Sequence, residues 1–337
     1  MEDQRKPITN NMQLAKKLPM WKVDPQIQTL VEATCFKHFL RFHEGNSVNQ
    51  NLSLLTALAY FYDRDESVFS FGDKKSFFVD FSLEDVLYIT GLSIDGDPVT
   101  GVENVSAHAI AHELNIHETE VDELYFKRKK AKTNVRLDLN KLRTRFEKVP
   151  EECLDCDAYL KAYLLYLLGT VIMPNNTEGV SPIYLPLLGR NTVNKYAWGA
   201  AMVGFLKNSL KDTKALLDEG KTGSISGFVY AIMVFALERF ACVREELSLR
   251  SVSDNISHKE LEPKSEHQGV KELRSKDKEQ RSDQEEPLLI SNGLMTRAKS
   301  NKLKEAVRDI LKQGMLSDQE GKELVTTTLV VIQVQEG

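Results

Sequence analysis

Ile27, Leu30, Val31, Thr34, Phe36, Phe39 and Leu40 fall at intervals that build one broad apolar helix face, predicting a helix over 25–42. A second helical pattern covers 52–62. From 68 to 81 the chain alternates, which predicts a short hairpin turning around 72–74. Further helical patterns lie over 102–116, 137–146, 158–172, 193–218 and 224–242. No repeat of fixed period is present, and strands do not alternate with helices. The expected fold is mainly α, a single helical domain with a small β-hairpin. The two most apolar stretches, 158–173 and 225–243, read as buried core helices. Lys161 interrupts the first, and the second carries Glu238 and Arg239, whereas a membrane span needs about 20 apolar residues.

The pattern changes after residue 240. All 2 Trp, 10 Tyr and 15 Phe of the 337 residues lie at or before Phe240. A stretch without aromatic rings buries little area, because such rings supply much of a core. Residues 244–293 are dominated by Ser, Lys, Glu, Asp and Gln and are expected to be a disordered linker. Within 294–337, Met295, Ala298, Leu303, Ala306, Val307, Ile310 and Leu311 alternate with Arg297, Lys299, Lys302, Lys304 and Arg308, a basic amphipathic helix over 294–313. A β-prone run at 325–334 closes the chain. The division is a polar leader over 1–24, a folded domain over 25–243, a charged linker over 244–293 and the 294–337 tail.

The net charge of −5 excludes a wholly electrostatic nucleic-acid binder, so nucleic acid is not singled out as a partner by charge. Four cysteines in this length are too few for a disulfide scaffold and suit a reducing compartment. The first 17 residues lack an apolar core, so no secretory signal is expected. These features describe a soluble intracellular protein with no membrane partner.

One segment is denser in local signals than any other. It reads FSLEDVLYITGLSIDGDPVTG over 81–101. Ser82 and Asp85 have the spacing of a capping box. Leu83, Val86, Leu87, Ile89 and Thr90 are expected to supply the buried face of a short helix, and Gly91 stands where a left-handed C-terminal residue is needed. Asp95 and Gly96 form a tight turn, and Pro98 blocks a return to helix.

This segment resembles the signature of the plant mobile domain, found in maintenance-of-meristems-like proteins and plant transposable elements. The matching positions are Leu83, Glu84, Asp85, Val86, Gly91, Leu92, Asp95, Gly96, Asp97, Pro98 and Val99. Later blocks fit in order: Tyr184, Leu185 and Pro186, then Tyr196, Ala197, Trp198 and Gly199, then Ser226 and Gly227. Tryptophans that the family carries near 60 and 141 are absent here. In the tail, 293–306 is similar to a segment of plant retroelement Gag-type polyproteins. The family resemblance implies a nuclear, non-enzymatic protein acting in meristem maintenance, genome stability and transposon silencing through nuclear protein partners. The rival reading is a transposon-encoded protein that assists its own element's mobility.

Family members are often labelled aminotransferase-like. Pyridoxal-phosphate chemistry needs a Schiff-base Lys, a carboxylate at the pyridine nitrogen and a phosphate cup. The sequence offers no Gly/Ser-rich phosphate loop beside a candidate Lys, so no cofactor is expected. Gly220, Lys221 and Thr222 end like a P-loop, yet Ala215 occupies the required Gly position. Cys153 and Cys156 form a lone CxxC and are taken as incidental thiols. His108 and His112 lie at i and i+4 with Glu113 and His117 nearby, without the HExxH order of a zinc protease, so they are taken as a polar helix face. Lys127, Arg128, Lys129, Lys130 and Lys132 form the densest basic run and are a candidate nuclear import signal.

Overall fold

The computed structural model describes residues 8–9, 20–43, 50–71, 77–101, 105–125, 135–151, 153, 156–175 and 177–240, with the backbone of 289–290 and 293–294. Asp24 caps the first helix, α1 (Pro25–Glu32), its carboxylate accepting the Gln26 N–H at 2.9 Å. The helix predicted over 25–42 is broken at Thr34. Its hydroxyl donates to the Val31 carbonyl (2.7 Å) and accepts the Phe36 N–H (3.1 Å), and the chain resumes as a 3₁₀ helix over Lys37–His43. Short hydroxyl side chains compete with the helical ladder in this way.

Asn51 caps α2 (Leu52–Phe61) through the Leu54 N–H, and the chain then enters a three-stranded antiparallel sheet. Its strands are β1 (Tyr62–Asp63), β2 (Val68–Phe71) and β3 (Phe77–Val79), with Phe69 opposite both Tyr62 and Val79. The predicted hairpin is therefore present with one extra strand; its turn at 72–76 lies outside the described residues. Then come α3 (Leu83–Thr90), α4 (Ala107–Leu114) and α5 (Glu118–Leu124). The fourth helix is shorter than its pattern because Ser106 caps it and Asn115 ends it at φ 49°. No periodicity predicts the fifth, where Val121 and Leu124 are the only buried positions.

Strand β4 (Leu137–Asp138) pairs antiparallel with β5 (Gly179–Val180) and leads into α6 (Leu139–Phe146). Helix α7 (Asp157–Leu167) continues as one π-helical turn over Leu168–Ile172. Two 3₁₀ turns, Pro182–Leu187 and Val193–Lys195, precede α8 (Trp198–Asp218), and α9 (Val229–Arg239) follows. A small hairpin, β6 (Leu289–Ile290) with β7 (Gly293–Leu294), takes Leu294 out of the helix predicted over 294–313. The remainder of that helix, the β-prone run and most of the linker lie outside the described residues. Mainly α with a small antiparallel sheet is the fold.

Helix α7 is apolar on nearly all sides, and the structure buries it against α1, α4 and α6. Helix α8 lies on α2 and α3, and α9 packs on the same two helices. Aromatic rings join these layers. Trp21 meets Tyr163 and Tyr166, Phe235 meets Phe69 and Phe81, and Trp198 meets Phe36. Edge-on, tilted and stacked pairs of this kind add about 0.5–1.5 kcal/mol each beyond area burial. Among the described residues, no helix is long and apolar enough to cross a membrane.

Candidate functional site

The signature segment folds as its local signals require. The Ser82 hydroxyl accepts the Asp85 N–H at 3.2 Å, and the Asp85 carboxylate accepts the Ser82 N–H at 2.8 Å, a closed capping box. Gly91 sits at φ 70° and donates its N–H to the Leu87 carbonyl at 2.8 Å. A Cβ at this position would lie 2.6 Å from the His38 ring, so the glycine serves both conformation and close packing. Val86 and Leu92 are fully buried.

The motif blocks, a hundred residues apart in sequence, meet in space. Asp97 donates its N–H to the Lys195 carbonyl (2.8 Å) and accepts the Ala197 N–H (2.9 Å), a short parallel bridge to Tyr196. Gly199 donates to the Ser93 carbonyl at 2.7 Å. Its own absent side chain makes room, since a Cβ would lie 2.9 Å from the Ser93 oxygen and 3.0 Å from the Leu92 oxygen. A Cβ on Gly96 would likewise strike the Lys195 carbonyl. Trp198 is fully buried and donates its indole N–H to Val193 at 2.8 Å, with Tyr184 and Tyr196 edge-on to its ring. The bridge holds Tyr196 extended and Ala197 out of helical geometry, which is why α8 starts at Trp198 rather than at 193. Leu185 is buried beneath the same layer, Pro186 is half-buried, and Asp95 and Pro98 are exposed at the turn.

Asp85 has a further partner that sequence reasoning missed. Its Oδ1 accepts from Arg239 Nη2 at 2.7 Å, which ties the last turn of α9 to the first turn of α3. No local spacing signals a pair 154 positions apart.

The inner side of α3 is thus spent on packing. Its outer side is different: Leu83 and Leu87, expected on the buried face, are 41% and 38% exposed because α8 and α9 cover only the side of Val86 and Thr90, and Tyr88 is 76% exposed with Glu84 beside it. These positions share one arc of the helix, at spacings of one, four and five. Phe78, in the strand just before, is exposed as well. A short helix that offers two leucines and a tyrosine to solvent has an apolar face without a described cover.

A second candidate is the polar cleft between α4, α5 and α7, lined by His108, His112, Glu113, His117, Asp157 and Lys161 among others. Lys161 Nζ lies 2.8 Å from Asp157 and 3.0 Å from Glu113, and Asp157 also accepts the Arg190 N–H at 2.8 Å. Burial opposes charge on both groups. The hydrogen bonds outweigh it, so the Asp157 carboxyl titrates below its usual range and the Lys161 ammonium above its own. His117 caps α5, its Nδ1 accepting the Thr119 N–H at 3.3 Å, while Glu120 reaches back to the His117 N–H. Among the described residues, no group of three or more His, Cys, Asp or Glu is arranged to hold a metal ion.

Cys153 and Cys156, expected as incidental thiols, lie side by side at the start of α7, with Cα atoms 5.8 Å apart. The CxxC spacing brings them within bridging reach. Burial pushes the Cys35 thiol up to about 12. Gly220 and Lys221 lie in the turn that ends α8, with the Lys221 N–H donated to Leu216, as expected of a loop rather than a P-loop. The basic run Lys127, Arg128, Lys129, Lys130 and Lys132 lies outside the described residues.

A capped helix, a glycine turn and a returning tryptophan segment, knotted through backbone bonds, define a family by architecture. The model of the plant mobile domain matches residues 42–318, and the chain belongs to that family. Protein MAIN-LIKE 2 of Arabidopsis thaliana is 30% identical over 201 residues, which cover 58% of this chain and 28% of the relative. Protein MAIN-LIKE 1 of the same plant is 29% identical over 201 residues, 57% of this chain and 37% of its own length. Protein MAINTENANCE OF MERISTEMS is 28% identical over 191 residues, 55% of this chain and 37% of its own length. The chain therefore spans well under half the length of these curated relatives. No solved structure matches it.

Proposed function

We propose that the protein is a non-enzymatic nuclear interaction scaffold, serving meristem maintenance, genome stability and transposon silencing. The name of one relative, MAINTENANCE OF MERISTEMS, supports the meristem role. The observation that carries the interaction reading is the two-sidedness of α3: the segment that marks the family knits the domain on one side and offers Leu83, Leu87 and Tyr88 on the other. Exposed apolar clusters rimmed by charge mark contact surfaces.

Affinity capture from plant nuclei tests the reading, comparing wild type with the Leu87→Ser/Tyr88→Ser double variant at equal thermal stability. A reproducible set of nuclear proteins lost only in the variant is expected. An unchanged set would overturn the role of α3. Localisation is tested with a fluorescent fusion too large for passive entry, in which Lys127, Arg128, Lys129, Lys130 and Lys132 are changed to Gln. Nuclear accumulation of the wild type and its loss in the variant are expected, because an import receptor reads exposed basic runs. A cytoplasmic wild-type fusion would sink the nuclear reading.

A further inference from the structure

Helix α3 leaves an apolar arc uncovered, and the chain itself carries a segment of matching character. Leu303, Ala306, Val307, Ile310 and Leu311 recur at i, i+3, i+4, i+7 and i+8, one narrow apolar stripe on the predicted basic helix. Lys304 and Arg308 flank that stripe on one side, Lys302 and Asp309 on the other, and Glu305 lies behind it. The exposed face of α3 presents the complement, Leu83, Leu87 and Tyr88 around the carboxylate of Glu84, while Asp80 just upstream is already held by Lys207 at 2.6 Å. Apolar meets apolar, and lysine meets carboxylate.

Two further observations point to this segment rather than to a foreign one. Helix α9 ends beside α3, because Arg239 holds Asp85 at 2.7 Å, and the described residues of this region stop at Phe240. From there to Leu303 the chain has about 60 residues, and even a random polar chain of that length spans about 40 Å, several times the length of an eight-residue helix. The family model also runs to residue 318, so the stripe falls inside the matched unit. We propose that the segment 303–311 docks in cis on the outer face of α3 and shields it until a partner displaces it. This deepens the interaction reading above and rests on it for the partner's part.

The test uses the full chain with a photo-cross-linking phenylalanine in place of Tyr88. Irradiation at low micromolar concentration is expected to give an intramolecular cross-link, located by mass spectrometry within 303–311. The Leu303→Asp/Val307→Asp/Ile310→Asp variant should lower its yield at least tenfold. It should also raise amide exchange over 83–90 by a similar factor, without moving the melting temperature of the domain. A cross-link to a second copy, with a dimer in light scattering, would overturn cis docking in favour of self-association. A cross-link elsewhere in the chain, or none, would overturn it outright. Nuclear capture separates the two readings: a confirmed cross-link with no protein whose capture depends on Leu87 and Tyr88 keeps the shield and removes the scaffold.

Discussion

The α3 layer and the α4–α5 cleft are made of opposite materials. The layer is built mostly of glycines, apolar side chains and backbone bonds that join residues about a hundred positions apart, Ser93 to Gly199 and Asp97 to Lys195, with one ion pair, Asp85 to Arg239, spanning 154 positions. The cleft gathers three histidines, three carboxylates and a lysine, the residue types from which catalytic and metal sites are made. Yet its lysine is held by two of those carboxylates, Glu113 and Asp157, and His117 is occupied as a helix cap. Chemically suggestive side chains mark a site only when they converge on free space with capacity left over. Chemically plain ones identify the family here because their placement admits few substitutes.

That contrast can be broken most forcefully at Trp198. It is fully buried, hydrogen-bonded through its indole N–H and ringed by Phe36, Tyr184 and Tyr196. Trp198→Ala should cost about 3–5 kcal/mol and lower the melting temperature by roughly 10 °C. Calorimetry would show it, and a drop of under 3 °C would mean that the layer is not the structural centre described. A smaller loss is expected at Gly91. A valine there meets both a left-handed backbone and the His38 ring, for a cost on the order of 1–3 kcal/mol. Gly91→Ala should fall between wild type and Gly91→Val if ring contact adds to strain.

Local signals were legible and tertiary ones were not. Ser82, Asp85 and Gly91 lie within ten residues, and short-range sterics alone dictate the capping box and the left-handed end. Helix existence was also readable for α2, α7, α8 and α9, whose buried positions are many. Boundaries were displaced wherever a distant contact intervened: Thr34 cutting the first helix, Asp97 holding Tyr196 and Ala197 out of α8. The outer face of α3 was hidden for a different reason. Leu83, Leu87 and Ile89 look alike in a list of apolar positions, and only the docking of α8 and α9 decides which of them is covered.

The cleft yields the third expectation, on pH. Asp157 titrates below its ordinary range, so its contribution to stability is present above about pH 4 and lost as pH falls through its depressed value. Lys161 titrates above its ordinary range, so its contribution is complete below about pH 10 and lost as pH rises through its elevated value. Lys161→Met removes both and leaves Glu113 and Asp157 facing one another. Both carboxylates are partly solvated, which limits the cost to about 1–2 kcal/mol near neutrality. Chemical denaturation at about pH 2 and about pH 7 would measure it, since the loss lies below the ordinary carboxylate range. The wild-type advantage should shrink at the acid end, and an advantage that grew there would contradict the assignment of Asp157 as the depressed group.

The smallest effect is expected where the sequence looks most like chemistry. His108 and His112 are exposed, and the His112 side chain keeps 80% of its surface in water with only a 3.9 Å approach to Glu113. Exposed substitutions away from caps and packed contacts stay within about 0.5 kcal/mol. The His108→Ala/His112→Ala double variant should therefore melt within about 1 °C of wild type. His117→Ala, by contrast, removes the cap of α5 and should cost about 0.5–1 kcal/mol. Zinc titrated into wild type and the double variant sharpens the comparison. An i, i+4 histidine pair supplies two ligands, half of what a structural zinc site needs, so the metal should stabilise neither protein at micromolar concentration. A wild-type melting temperature that rose with zinc and fell back in the double variant would show a third ligand recruited to the pair, and the cleft would take the place of α3 as the site to explain.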